Sequence, residues 1–564
     1  MKKGQPTHLV YEFDTLYDGV VKQAQRYGDK DRYIYKVKKD ERHFSFNDML
    51  RHVNYVSSAL TKLGVAGKFI SVTGDTHPDY VATYIGTVAA GGTIVPLDKE
   101  ISTEQFSGFI AMCDVEMIVY TASMHKKLLP LYDAMPSVKY YVCIDFEGEA
   151  PEDSRFMTFD ALLEIGKNAY DEGDRTAENT IADVDKACAI IFTSGTTGTS
   201  KGVMLSQRNL CTSAYDCASI IAATEEDFLV SVLPIHHTYE FTISQLAAPN
   251  VGIPMFINDS IKNTLRNFAK YQPTGLILVP LYVETMHKKI WAEIEKKGKT
   301  KLVKNMMPIA KKLPRSIRRK IFKDVIDALG GKLNFIVCGG APLRPELMAD
   351  FDAFGIQICE GYGITECSPL ISANPFHCRK YHSAGLRVLH MEVRIDKEDP
   401  ADETGEIVTR GDAVMLGYYK NPQATADAFT EDGWFKTGDI GYMDEDEYIF
   451  ITGRKKNVII ASNGKNVFPE ELEEYLTAYE LISECVVIGR KGEGENDVVI
   501  TALVYPEYDK FEGKTPEEIK ATIEDIVDIV NKKLPSFKHV QNVEIRETEF
   551  EKNTSRKIMR YKIK

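Results

Sequence analysis

The sequence predicts an α/β fold: a large N-terminal domain of mostly parallel sheets covered by helices plus a small β subdomain, then a small α+β domain. Three observations carry this. At 564 residues the chain exceeds what one hydrophobic core usually serves. Up to about Met391, short apolar runs alternate with stretches of helical period, the pattern of β-α-β units. Beyond it the texture changes to short strands separated by acidic turns.

In chain order, the runs Phe69–Thr73, Thr93–Leu97, Met117–Tyr120, Tyr140–Ile144, Ala189–Thr193, Leu229–Leu233, Met255–Ile257, Leu276–Val279, Phe335–Cys338 and Gln357–Cys359 read as strands. They are short, and most are rich in β-branched or aromatic residues, which suit a buried pleated surface. Between several of them lie helical patterns such as Pro78–Ala90 and Ile261–Lys270. The segments around Glu392–Asp399, Gly405–Gly411 and Gly441–Arg454 read as hairpin strands. A boundary near Gly453–Lys456 gives domains of residues 1–453 and 454–564. The second has strands near Val458–Ile460 and Cys485–Ile488 and a helix over Thr515–Lys533.

Composition excludes several classes. A hydrophobic fraction of 44% and a charged fraction of 27% are ordinary for a soluble globular protein. Eighteen consecutive apolar residues do not occur, so no transmembrane helix is expected. The N-terminus lacks an apolar signal core, and the ten cysteines are scattered without a CxxC pair. A cytoplasmic setting with reduced thiols and no zinc site is the expectation.

The net charge of −13 hides an asymmetry. Residues Lys288 to Lys323 hold fourteen Lys/Arg against two Glu, a local balance of +12 that leaves −25 for the rest. Apolar residues recur through this stretch, which suggests helices with basic faces. Two readings stay open: a solvated helical face, or peripheral contact with anionic lipid at the inner face of the membrane. No nucleic-acid-binding motif accompanies the charge, so nucleic acid is not an expected partner.

The strongest chemical signal is the passage from Ile190 to Gly202. An apolar run ends in a loop holding Thr193, Ser194, Gly195, Thr196, Thr197, Gly198 and Lys201. Glycines let the backbone approach an anion, and hydroxyls, N–H groups and an ammonium suit a polyphosphate. It is not a Walker loop, because only two residues separate Gly198 from Lys201 and a glycine follows the lysine.

Four further segments stand in fixed order: Val337–Leu343, Glu360–Glu366, Gly433–Asp439, and Gly453–Asn457 leading to Gly464–Glu471. Together with the loop, they resemble the adenylate-forming superfamily of acyl-CoA synthetases, peptide-synthetase adenylation domains and luciferases. The likeness spans nearly the whole chain and is greatest to bacterial long-chain fatty acid–CoA ligases of the AMP-forming kind.

That resemblance implies ATP, Mg²⁺ and coenzyme A as cofactors. A carboxylate would attack the α-phosphate of ATP, giving an acyl-adenylate and pyrophosphate, and a thiol would then take the acyl group. The first step brings anion to anion, so it needs neutralising charge and positioning. By resemblance, Thr193, Ser194, Thr196, Thr197 and Lys201 hold the β- and γ-phosphates, with Gly195 and Gly198 in the same loop. Glu366 is the metal ligand, and Thr365 touches the α-phosphate. Tyr362 stacks on adenine beside Gly340 and Ala341. Asp439 accepts from the ribose hydroxyls with help from Arg454. Lys557 stabilises developing charge during adenylation, although Glu551, Asn553 and Arg556 depart from the family's tail pattern. A rotation of the small, mobile C-terminal domain about Lys456 is implied. It would exchange Lys557 for the loop carrying Gly464 and Lys465, which would line the pantetheine tunnel.

The acid is read from Leu233–Phe241, where His237 and Phe241 match positions bordering the acyl pocket. The basic insertion after Leu278–Glu284 also looks like the long-chain enzymes, and no carrier-protein motif follows, so CoA is the expected acceptor. An aryl- or medium-chain-acid CoA ligase, or a ligase that loads an acyl carrier protein, is the alternative. Oligomeric state is left open.

Overall fold

Parallel pairing dominates two large sheets, and antiparallel pairs are confined to their margins. The computed structural model of the chain describes residues 10–193, 200–461, 465–492, 498–552 and 558–563. By its contacts the chain divides into two compact units. Of the described residues, the first comprises those up to 392 and 410–427, and the second comprises 393–409 and those from 428 onward. The expected boundary near Gly453–Lys456 falls inside the second unit.

The first unit holds a nine-stranded sheet in the order Leu386–Arg387, Leu370–Ala373, Gln357–Gly363, Phe335–Gly339, Gly275–Leu278, Leu229–Ser231, Met255–Ile257, Asp31–Val37, Asp40–Ser45. From Gln357–Gly363 to Asp31–Val37 every described pair is parallel. The second sheet has eight strands: Gly417–Tyr418, Lys201–Ser206, Ala187–Thr193, Thr93–Leu97, Phe69–Thr73, Met117–Thr121, Tyr140–Ile144, Phe156–Thr158. Its central strands are buried at almost every position, as parallel strands covered on both faces must be. The α/β fold class and the mostly parallel sheets are those the sequence predicts.

All ten predicted strands form. Leu229–Ser231 stops short of Leu233, because Pro234 has no N–H to give a ladder. Gln357–Gly363 runs on through the glycine turn. The strand Lys201–Ser206 was not foreseen: it begins on the lysine of the glycine-rich loop and pairs antiparallel with Ala187–Thr193, Thr193 facing Lys201. The predicted helix over Ile261–Lys270 divides into a 3₁₀ turn Ile261–Asn263 and a helix Thr264–Tyr271.

A four-stranded sheet lying mostly in the second unit runs in the order Met391–Asp396, Gly405–Gly411, Phe435–Met443, Ile449–Arg454, and its last three strands pair antiparallel. A separate core gathers Leu472 and Leu476 of the helix Pro469–Thr477, Val487 and Val504 of the three-stranded sheet, and Ile523 of the helix Pro516–Asn531. That last helix starts on a capping box in which Thr515 and Glu518 satisfy each other's backbone N–H groups.

Candidate active site

Three of the expected residues converge in the first unit. Gly417–Tyr418 adds to the edge of the eight-stranded sheet beside Lys201–Ser206, with Tyr418 opposite Val203. This register places the Lys201 ammonium 4.6 Å from the centroid of the Tyr418 ring. The Tyr418 hydroxyl donates to Glu366 Oε1 at 2.8 Å. Glu366 sits in a single 3₁₀ turn, Thr365–Cys367, and its carbonyl accepts from Met415 N at 2.8 Å. Burial, then the Glu366 charge, push the Tyr418 hydroxyl well above its ordinary pKa, so it remains a donor. Thr193 lies at the neighbouring strand end, its hydroxyl 3.5 Å from the Lys201 carbonyl. Ser194, Gly195, Thr196, Thr197 and Gly198 lie outside the described residues.

The turn leading to Glu366 requires glycine. A Cβ on Gly363 would stand 1.8 Å from the Pro369 carbonyl oxygen, which no relaxation of a side chain relieves. Gly340 adopts φ +86°, the left-handed region that glycine enters without strain. Gly340 and Ala341 are exposed at the end of Phe335–Gly339, and Tyr362 is largely buried in the adjacent strand Gln357–Gly363. The Tyr239 hydroxyl donates between the carbonyls of Leu278 (3.0 Å), the last residue of Gly275–Leu278, and Val337 (3.2 Å), in the middle of Phe335–Gly339.

A chemical fit to magnesium follows from the donor set. Among the described residues no cluster of three or more His, Cys, Asp or Glu forms a complete cage. Glu366 supplies one oriented carboxylate, and Mg²⁺ commonly takes one or two carboxylates and completes its shell with phosphate oxygens and water. Glu366 fits that use, and a closed protein-only site does not.

The stretch after Pro234 contains more than the sequence reading found. His237 opens a short helix that continues as a π-helix, Phe241–Ala247, a form often retained at functional positions. Phe241 is buried and stacks on Tyr84 with ring centroids 3.9 Å apart. Thr242 donates to the Ser368 carbonyl at 3.0 Å, tying the π-helix to the turn that carries Glu366. His236 packs on His237 and lies 3.5 Å from Asp98, which belongs to the loop after Thr93–Leu97 of the other sheet. Glu240 is fully buried: Ser231 donates to its Oε1 at 2.6 Å, and its Oε2 has no hydrogen-bond partner among the described residues. Burial raises its pKa to about 7. A single acid in a stretch with no other Asp, Glu, Lys or Arg was the visible signal for Glu240; nothing local pointed to Tyr418, fifty-two positions from Glu366.

In the second unit Asp439, almost wholly buried, pairs with Arg454 across two adjacent strands, Oδ1 to Nε 2.7 Å. Glu406 accepts from Gly438 N and holds Lys455 at 2.9 Å. Lys456 lies in the 3₁₀ turn Lys455–Asn457, where desolvation, then the Arg454 and Arg560 charges, lower its pKa. Lys465 stands over the Phe537 ring at 4.7 Å. Gly464 and Lys557 lie outside the described residues; on either side of the lysine's segment, Lys552 and Ile558 form an antiparallel bridge.

Residues 20–419 match the model of the AMP-binding enzyme family, and residues 456–564 match that of the AMP-binding enzyme C-terminal domain. The chain belongs to the AMP-binding enzyme family. Among relatives of this AMP-binding enzyme, the long-chain-fatty-acid–CoA ligase FadD15 of Mycobacterium bovis is 30% identical over 80% of this chain and 76% of its own. The probable 4-coumarate–CoA ligase 3 of Dictyostelium discoideum is 27% identical over 86% of this chain and 84% of its own. The crystal structure of the anthranilate CoA ligase AuaEII with anthranoyl-AMP superposes with a TM-score of 0.77 at 19% identity, covering 99% of this chain and 97% of that one. The AMP-binding enzyme thus shares the fold of adenylate-forming enzymes.

Proposed function

We propose that this adenylate-forming acid–CoA ligase activates a long-chain fatty acid. The structural observation that supports an apolar acyl group is a small apolar pocket in the first unit, about 30 Å³, which must widen to take more than the end of a chain. The π-helix supplies Ile243 and Ala247, the helix Gln207–Ile220 supplies Cys217 and Ala218, and the nine-stranded sheet supplies Ile277 and Val337. Small side chains on the helical walls leave the space, and almost no polar surface enters it. Such a lining suits a hydrocarbon chain and offers nothing to orient a second polar group. The relative FadD15, named for long-chain acids, supports the same reading.

The expected residues then divide by role. Lys201 and the hydroxyls of Thr193, Ser194, Thr196 and Thr197 neutralise and orient the triphosphate, with Gly195 and Gly198 giving its backbone access. Glu366 is the residue for Mg²⁺, and Tyr418 keeps its carboxylate oriented. Thr365 takes the α-phosphate, and Tyr362, Gly340 and Ala341 take adenine. Asp439 and Arg454 take the ribose hydroxyls. His237 and Phe241 border the acyl group, and Lys557 acts in adenylation. Lys456 is the hinge, and Gly464 and Lys465 serve the thiol half-reaction with CoA.

The test is CoA-dependent AMP release across a panel of acids, from acetate through long saturated chains to aromatic acids. Long chains are expected to give the highest kcat/KM, and Ala247→Phe should shift the optimum to shorter chains while acetate is unaffected. Preference for an aromatic acid, with no change in profile for Ala247→Phe, overturns the chain-length reading.

A further inference from the structure

The basic stretch from Lys288 to Lys323 spans the end of the helix Pro280–Lys296, all of Thr300–Ala310 and all of Arg315–Ile321. Its buried stripe, Ile290, Ile294, Val303, Met307 and Ala310, packs into the core that holds Phe351 and Phe354. Its cations divide by residue type. The arginines point inward as structural pins. Arg315 donates to the Gly355 carbonyl at 2.9 Å, Arg319 to the Leu333 carbonyl at 2.6 Å, and Arg318 to the Asp352 carbonyl at 2.7 Å while pairing with the Asp352 carboxylate. Every lysine of the stretch is exposed. Among the described residues Lys301, Lys304, Lys311 and Lys312 form no ion pair.

Apolar side chains stand exposed among these lysines: Leu302 at 56%, Ile309 at 64% and Ile317 at 43%. At 100° per residue, Leu302 and Ile309 share one face of their helix. That face lies about a third of a turn from the buried stripe, with Lys301 about a quarter of a turn beyond it and Lys304 across the helix. The helix is therefore apolar more widely than the protein core uses.

We propose that this face docks the protein on an anionic lipid bilayer, with lysines at the headgroups and Leu302 and Ile309 among the upper acyl chains. Exposed aliphatics bordered by lysines are the composition of an interfacial helix. Lysine suits a diffuse field of headgroups, whereas the planar fork that reads a protein carboxylate belongs to arginine, and all three arginines are already committed inside. The rest of the chain carries −25, so this stretch supplies the attraction to an anionic surface, and that attraction falls with salt. An acidic carrier protein is the competing occupant.

The test is co-sedimentation of the full chain with phosphatidylcholine vesicles and with vesicles containing phosphatidylglycerol, at low and high salt. No acid is present, so an error in the acyl assignment leaves this readout untouched. Binding is expected only with phosphatidylglycerol and only at low to moderate salt. Reversing Lys301, Lys304, Lys311 and Lys312 to Glu should weaken it by about a hundred-fold or more. Leu302→Gln with Ile309→Gln, a milder pair at exposed positions, should weaken it about ten-fold and leave AMP release with a water-soluble acid unchanged. Equal binding to neutral vesicles, indifference to both sets of substitutions, or capture of an acidic acyl carrier protein with no vesicle binding overturns the proposal.

Discussion

The Tyr418 hydroxyl donates to Glu366 Oε1 at 2.8 Å, while its ring lies beneath the Lys201 ammonium. One tyrosine thus touches both the cation read as a phosphate contact and the carboxylate read as the metal ligand. Tyr418→Phe keeps the ring under Lys201 and removes only the donor. The expected result is a pyrophosphate-exchange rate lower by about ten-fold, with a higher Mg²⁺ concentration needed for half-maximal rate, as when a group orienting a metal ligand is lost. An unchanged Mg²⁺ titration would show that the hydroxyl does not orient Glu366 for this use.

Asp439 is buried and held by Arg454, so its carboxylate is fixed before any ligand arrives. Asp439→Ala should raise the ATP dissociation constant by about ten- to a hundred-fold, the usual range for losing charged hydrogen bonds. Isothermal titration with ATP checks this. Arg454→Ala alone should weaken ATP less, since Asp439 would keep its place in the strand. The reverse order of effects would make arginine the principal contact.

The parallel sheets were legible because a buried strand cannot hide its apolar run: Phe69–Thr73, Thr93–Leu97, Tyr140–Ile144 and Met255–Ile257 have the bounds that their composition marks. Less was legible where an element depends on its partner. Asp31–Val37 and Asp40–Ser45 form an edge hairpin: the first strand buries Arg32 beside Tyr33, and the second is exposed at four of six positions, so neither shows apolar alternation. Lys201–Ser206 begins inside a glycine-rich motif and becomes a strand through pairing on both sides. The same holds for the site. Ordered motifs named Lys201 and Glu366, but the tyrosine joining them is brought in by a two-residue strand whose local sequence is an ordinary turn. The inward bonds of Arg315, Arg318 and Arg319 likewise rest on carbonyls, which no sequence pattern marks.

The proposed role of Lys557 is in adenylation alone, so its loss should separate the two half-reactions. Lys557→Ala is expected to lower pyrophosphate exchange by about a hundred- to a thousand-fold, the scale for removing one group that stabilises developing charge. Thioester formation from preformed acyl-adenylate should stay within a few-fold of the parent. Lys456→Pro should do the opposite, sparing exchange and blocking transfer, because proline fixes φ at the position read as the hinge. Equal loss of both half-reactions in both variants would remove the division of roles.

Glu240 links pH to stability. Burial raises its pKa from 4.5 to about 7, and the Ser231 hydroxyl offsets only part of that. A carboxyl with a higher pKa folded than unfolded holds its proton better in the folded state. Its favourable contribution is therefore complete below about pH 4.5 and is lost as pH rises through 7. Glu240→Gln keeps the acceptor for Ser231 and cannot ionise. Stability of the variant relative to the parent should accordingly rise by on the order of 3 kcal/mol between pH 4.5 and pH 8. Burying an amide N–H where Oε2 stood adds a constant offset and leaves that slope unchanged. Thermal unfolding of both proteins across this range measures the slope, and parallel curves would mean that Glu240 carries its proton equally well in the unfolded chain.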